Sequence, residues 1–171
     1  ASEQTHLGAV REACTRAKLE LDVIGADAGR SSAAPEADLG RYDVVFDQYG
    51  HALLNEDTLR RLSELGEVVA GMAEEHVMCS FSCGWQHGQG VWLAMHDAQA
   101  GIRHLEVEGE MPRGFDQIRE DLLSQQDAEG GSEADVDYVY DIPLDTAKLV
   151  SGFSWSETEP EDGFTVLRRI D

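Results

Sequence analysis

Lysine, cysteine, proline and long apolar runs are all scarce in this sequence. Its 171 residues include only three cysteines and four prolines, and the only lysines are Lys18 and Lys148. An odd, low cysteine count excludes a disulfide scaffold and favours a reducing compartment. No run approaches the roughly 20 apolar residues of a membrane-spanning helix, so we expect no membrane association. We therefore expect a cytoplasmic protein, with a cleaved export leader left open.

The scarcity of basic residues makes the chain strongly acidic. It carries 34 acidic and 13 basic residues, for a formal net charge of -21. A field of this sign repels phosphate backbones, and the basic pairs Arg60–Arg61 and Arg168–Arg169 grow into no basic cluster. We therefore exclude nucleic-acid binding.

The acidity is concentrated in one region of the chain. Residues 126–162 contain 11 acidic residues, and Lys148 is their one basic residue. Such asymmetry is typical of a solvated acidic face or of a docking surface for a basic partner. Adaptation to salt is a third explanation, since a carboxylate-rich and lysine-poor surface suits it as well.

Hydrophobic residues make up 42% of the chain, which predicts a folded domain despite the charge. We expect a single domain over residues 1–171. Apolar residues at steps of three and four predict an N-terminal helix within residues 1–24. A loop or linker rich in Gly, Ala, Ser and Pro follows at 25–40, and residues 41–171 form the main body.

The main body is predicted to be an α+β fold. Alternating or apolar runs predict strands over residues 42–49, 76–83, 91–97, 102–108, 136–142 and 164–170. Helical patterns occupy residues 55–75, with Asn55 as the N-terminal cap, a segment that starts at Pro112, and residues 144–151, which Gly152 closes. Short glycine-containing connections predict an antiparallel sheet with helices packed on one face and the N-terminal helix as an appendage. The central β-α-β-β-α-β order is compatible with a ferredoxin-like core.

Four residues have the side chains and spacing that first suggest a zinc site: His76, Cys79, Cys83 and His87. On a strand, Cys79 and Cys83 share a face but lie about 13 Å apart. Two sulfurs that bind one zinc ion lie within about 4 Å of each other. We therefore expect no metal at these residues and no cofactor, and we interpret Cys83 as a buried thiol.

The histidines of the predicted hairpin are the candidates for chemistry. His96, Asp97 and His104 lie on neighbouring strands and would form an acid/base set if the strands pair through the intervening turn. With His87 they define an alternative function, an enzyme or a small-molecule binder. Half-buried structural histidines are the other interpretation, and no catalytic motif supports enzymatic activity.

Aromatic side chains set among carboxylates resemble the anchors and rim of a protein interface. The predicted binding residues are Asp135, Asp137, Tyr138, Tyr140, Asp141, Trp155, Glu157 and Glu159. They favour a non-enzymatic, acidic protein-binding domain that docks a basic partner, such as a bacterial inhibitor or immunity protein. The oligomeric state stays open.

Overall fold

The structure, a computed structural model, describes residues 21–24, 54–154 and 166–169, and its side chains are described for 54–154. The elements are β1 (Leu21–Ile24), α1 (Glu56–Ser63), β2 (Val68–Glu74), β3 (Cys79–Gln86), β4 (Gln89–Asp97), β5 (Glu106–Gly109), α2 (Phe115–Ala128), a 3-10 turn (Gly131–Glu133), α3 (Asp141–Ser151) and β6 (Val166–Arg169). An α+β fold with an antiparallel sheet is thereby confirmed.

Strands β2 to β5 form a four-stranded antiparallel sheet in which neighbours in space are also neighbours in sequence. The β3–β4 connection is a two-residue turn, because Gln86 pairs with Gln89. Its residues, His87 and Gly88, both have positive φ, 52° and 76°. This geometry matches the twist of the strands that it joins. The sequential order of this sheet does not itself show a ferredoxin-like arrangement.

The two faces of the sheet carry different helices. On one face, Ala94 packs with residues of α2 and of the chain around α3, namely Phe115, Leu122, Val139 and Ile142. The Ser80 and Ser82 hydroxyls on this face each donate to a main-chain carbonyl at 2.6 Å. On the opposite face, Leu59 of α1 packs against Ala70 and Cys83. Thus α2 and α3 share one face, as predicted, and α1 lies against the other.

The helix predicted over residues 55–75 is wrong in its second half. Asn55 caps α1 as predicted, since its Oδ1 accepts from Thr58 N at 2.9 Å, but the helix ends at Ser63. Residues Val68–Glu74 are strand β2 instead. Glycine at 66 disfavours helix, and the β-branched pair Val68–Val69 favours strand.

The strand predicted over residues 136–142 is also wrong. A side chain, and not a neighbouring strand, forms hydrogen bonds with main-chain groups of this segment. The Gln126 amide donates to Val136 O at 3.0 Å and accepts from Tyr138 N at 2.8 Å. Helix α3 then starts at Asp141 and ends before Gly152. This glycine has a left-handed φ of 76° and ends the helix, as predicted.

Strands β1 and β6 pair antiparallel, with Leu21 opposite Arg169 and Ile24 opposite Val166. The last predicted strand is thereby confirmed, whereas residues 21–24 are strand and not the end of the predicted N-terminal helix. The rest of that helix, the linker at 25–40 and the strand at 42–49 lie outside the described residues. None of the helices described is long and apolar enough to cross a membrane.

Candidate functional site

A buried histidine–aspartate pair joins the sheet to the chain that precedes α3. The side chain of His96 is fully buried, and that of Asp137 is 8% exposed. His96 Nδ1 lies 2.7 Å from the carbonyl oxygen of His104, and Nε2 lies 3.0 Å from Asp137 Oδ2. Because a carbonyl oxygen only accepts, Nδ1 is the donor. The other ring nitrogen, Nε2, then faces the Asp137 carboxylate.

The structure brings the other two predicted hairpin residues close to His96. Asp97 N donates to His104 Nδ1 at 3.2 Å, so the proton of a neutral His104 ring is on Nε2. That nitrogen donates to Glu106 Oε1 at 3.2 Å. Asp97 Oδ1 accepts from Gln99 N at 2.9 Å. The three predicted residues thus cluster, but structural hydrogen bonds occupy the ring nitrogens of both histidines.

Tyr140 stands beside this cluster and is buried, with 6% of its surface exposed. Its ring meets the His96 ring edge-on, with centroids 6.3 Å apart. Its hydroxyl is buried and has no hydrogen-bond partner among the described residues. Burial, and after it the negative charges of Glu75, Asp141 and Glu74, raise the pKa of this phenol to about 12. Tyr140 therefore belongs to the core and is not the exposed anchor that the sequence predicted.

Three carboxylates, those of Glu75, Asp141 and Glu74, lie close enough to act on the Tyr140 phenol. Glu74 and Glu75 are exposed where β2 ends, and the neighbouring Val77 is 42% exposed. Asp141 is half-buried at the start of α3, and burial together with the charges of Asp145 and Asp137 raises the pKa of its carboxyl. We call Glu74, Glu75, Val77 and Asp141 the acidic end of the sheet.

The remaining predicted binding residues divide between surface and interior. Asp135 is exposed, whereas Tyr138 is half-buried against the core and Asp137 is bonded to His96. Trp155, Glu157 and Glu159 lie outside the described residues. The predicted surface is therefore only partly outward-facing where the structure describes it.

The four residues with zinc-ligand chemistry are separated along β3. His76 precedes the strand and its side chain is 95% exposed, while the exposed His87 follows the other end of the strand. Cys83 is 6% exposed, and burial raises the pKa of its thiol. Cys79 is half-buried four residues away on the same face. Within the described ranges, no group of three or more potential ligands is placed to hold a metal ion.

Comparison with known proteins supplies no relative. No protein-family model, curated protein or solved structure matches this chain. The function therefore has to be inferred from the geometry of the residues themselves.

A surface depression of about 360 Å³ lies beside the β3–β4 turn. Its lining residues are Ser63, Glu64, Leu65, Gly66, Glu67, Gln86 and His87. Of the four hairpin residues in the alternative function, only His87 reaches it. The depression is thus separate from the cluster around His96.

Sequence reasoning missed Gln126 and the pair Glu74–Glu75. Gln126 is fully buried and makes three hydrogen bonds to the main chain. It continues the apolar face of α2 one turn beyond Leu122, and that spacing was the available signal. Glu74 and Glu75 were assigned to a helix, which hid their position at the end of a strand.

Proposed function

We propose that this chain is a non-enzymatic, acidic protein-binding domain that docks a basic protein partner. A bacterial inhibitor or immunity protein that acts in the cytoplasm is its concrete form. The unpaired thiols of Cys79 and Cys83 are consistent with a reducing compartment. The acidic end of the sheet is the docking surface.

The observation that carries the proposal is the group of carboxylates around Tyr140, namely Glu75, Asp141 and Glu74. Asp141 and Asp145 lie one turn apart on α3, and like charges at that spacing destabilise a helix. The pKa of Asp141 is raised first by burial and then by this repulsion, to which Asp137 also contributes. Cationic side chains of a partner would relieve it, and the exposed Val77 adds apolar contact area.

Internal ion pairs leave little positive charge to offset this field. Residues 54–154 contain 20 acidic and six basic residues. Four of these bases pair with nearby carboxylates: Arg60, Arg61, Arg103 and Arg119. The outward field of this part of the chain is therefore negative, which steers a basic partner and speeds its association.

The alternative function has less support from the contacts. Structural bonds occupy the ring nitrogens of His96 and His104, and the depression described above does not reach His96. No specific observation in the described part of the chain favours a substrate site at this cluster.

Charge reversal at the docking surface tests the proposal. The test variant is Glu74→Lys with Glu75→Lys. A matched control, Glu56→Lys with Glu120→Lys, makes the same change of net charge at exposed helix positions. A second comparison, Glu129→Lys with Glu133→Lys, changes the exposed loop after α2. Each protein is used to capture partners from the native host, and the association rate of any basic partner is then measured against ionic strength.

We expect the test variant to lose the partner, while the helix control retains it with a modestly slower association. Association of the wild-type protein should slow about tenfold or more as salt rises, because charge steering is screened. Loss of the partner in the loop variant alone would overturn the assignment of the surface. A partner rate indifferent to salt, or no basic partner, would overturn the proposed function.

A further inference from the structure

The two edges of the four-stranded sheet are built differently. Edge strand β5 has four residues, carries Glu106 and Glu108, and ends at Gly109, which has a φ of 79°. Short length, charge and a distorted end are the usual protections against pairing with another chain. Edge strand β2 has seven residues and neither proline nor basic residues, and its register with β3 has no bulge. One edge is therefore protected, and the other is open among the residues that the structure describes.

The register shows which main-chain groups β2 presents outward. Ala98 N donates to Met78 O at 3.1 Å, so the even-numbered residues of β3 bond to β4. The odd-numbered residues then bond to β2, and Phe81 stands opposite Met72. The residues of β2 that direct their N–H and C=O away from the sheet are Val69, Gly71 and Ala73.

These outward groups are accessible. Gly71 and Ala73 are exposed, and none of the three residues is hydrogen-bonded along this edge by the residues that the structure describes. Gly71 and Ala73, the two exposed residues, have small side chains. Helix α3 packs against this face of the sheet, since a Cβ on Gly71 would lie 3.9 Å from Ala147 Cβ. A new strand can therefore approach β2 from the side.

The charges at the two ends of β2 define the occupant. Glu67 precedes the strand, and Glu74 and Glu75 end it. In a second copy paired antiparallel about Gly71, Glu67 would oppose the other copy's Glu75 at each end, and like charges directly opposite are destabilising. A segment with basic residues at its ends would instead place opposite charges there.

We propose that the free edge of β2 binds an extended segment of a basic protein, which adds a fifth strand to the sheet. This inference rests on the proposed function, which supplies the basic partner, and it names how that partner is recognised. Main-chain hydrogen bonds from Val69, Gly71 and Ala73 hold the segment, as in other cases of strand addition. The carboxylates at the ends of β2 select basic residues at its ends.

The test uses the whole protein and a synthetic peptide of alternating valine and threonine with an arginine at each end. A length of about nine residues matches the span from Glu67 to Glu75 at ~3.3 Å per residue. Amide hydrogen exchange is followed by NMR with and without peptide. We expect exchange at Val69, Gly71 and Ala73 to slow about tenfold or more on binding, because their amides become hydrogen-bonded.

Two matched changes isolate the main-chain contact. Ala73→Pro removes an outward donor without removing a bond to β3, and Ala73→Val keeps the donor. We expect Ala73→Pro to weaken the peptide about tenfold, and Ala73→Val to change its affinity less than about twofold. A peptide N-methylated at alternate residues provides the same test if Ala73→Pro does not fold. A peptide with glutamate ends should bind more weakly than the arginine-ended one.

Four results would overturn the inference. One is failure of the arginine-ended peptide to bind, and a second is slow exchange of the three amides in the protein alone, which would mean that this chain covers its own edge. A third is a dimer that Ala73→Pro dissociates, which would make a second copy the occupant. The fourth is peptide binding that Ala73→Pro leaves unchanged and Glu74→Lys with Glu75→Lys abolishes. That last result would overturn strand addition and leave the proposed function standing. Failure of the salt-dependence and charge-reversal tests would overturn the proposed function instead.

Discussion

Removal of the Asp137 carboxylate breaks two hydrogen-bonded contacts at once. Asp137 Oδ2 faces His96 Nε2 at 3.0 Å, and Oδ1 accepts from Tyr140 N at 3.1 Å. Asp137→Ala therefore leaves a buried ring nitrogen and a main-chain N–H without partners. Breaking a buried pair from one side costs about 3–5 kcal/mol. We expect the free energy of unfolding to fall by that amount, since the two losses share one side chain and do not add.

Asp137→Asn separates the charge from the hydrogen bonds. Asparagine keeps an acceptor for Tyr140 N, and its amide can donate to Nε2 of a neutral His96 that still donates from Nδ1. We expect a loss of about 1–2 kcal/mol, which is the scale of exchanging charged hydrogen bonds for neutral ones. The control is Asp135→Ala, an exposed aspartate two residues away. Its effect should stay within about 0.5 kcal/mol.

Urea denaturation followed by tryptophan fluorescence measures all three variants, because Trp92 is buried on β4 in the same sheet as His96. The slope of unfolding free energy against urea should match that of the wild-type protein, so that midpoints report stability alone. An Asp137→Ala protein within about 1 kcal/mol of Asp135→Ala would refute the reasoning, since it would show that the pair contributes little.

Three other substitutions give further predictions. Tyr140→Phe removes a hydroxyl that has no partner among the described residues and should be neutral or stabilising by up to about 1 kcal/mol in thermal unfolding; a clear loss would reveal a partner for the hydroxyl. The pKa of Asp141 is raised, so its charged form destabilises the folded protein. This destabilisation is absent below the unfolded pKa of about 3.9 and complete above the folded pKa. Asp141→Asn should thus stabilise at pH 7 and not at pH 3, and an equal effect at both would contradict this cause. A Cβ on Gly84 would enter the indole ring of Trp92, so Gly84→Ala should cost about 1–3 kcal/mol and shift the fluorescence of Trp92, whereas Gly66→Ala, with open space around it, should not.

Local patterns in the sequence predict much of the fold. The run at residues 91–97 predicted a strand that lies within β4, and Gly152 predicted the end of α3. The Asn55 cap correctly marked the start of α1. Each of these signals, whether a period, a cap or a stop, depends only on residues close together in the chain, so one sequence is enough to read it.

The errors arose where distant residues decide the outcome. The segment at 136–142 has the alternation of a strand, yet Gln126 and Asp137 satisfy its main-chain groups and keep it out of the sheet. The His96–Asp137 bond joins positions 41 residues apart. No spacing rule connects such a pair in one sequence, so the prediction found His96 and His104 but assigned Asp137 to the docking surface.

If a basic segment binds the open edge of β2, we expect its binding to be coupled to the ionisation of Asp141 at the acidic end. A cationic segment bound there would stabilise the charged form of Asp141 and lower its pKa, which burial and then the charges of Asp145 and Asp137 now raise. By linkage, a partner that favours the charged form binds more tightly above that pKa than below it. Affinity for the arginine-ended peptide should therefore fall as pH decreases through the titration of Asp141, and Asp141→Asn should flatten that dependence. The part of the pH dependence that Asp141→Asn removes is the measure of the coupling.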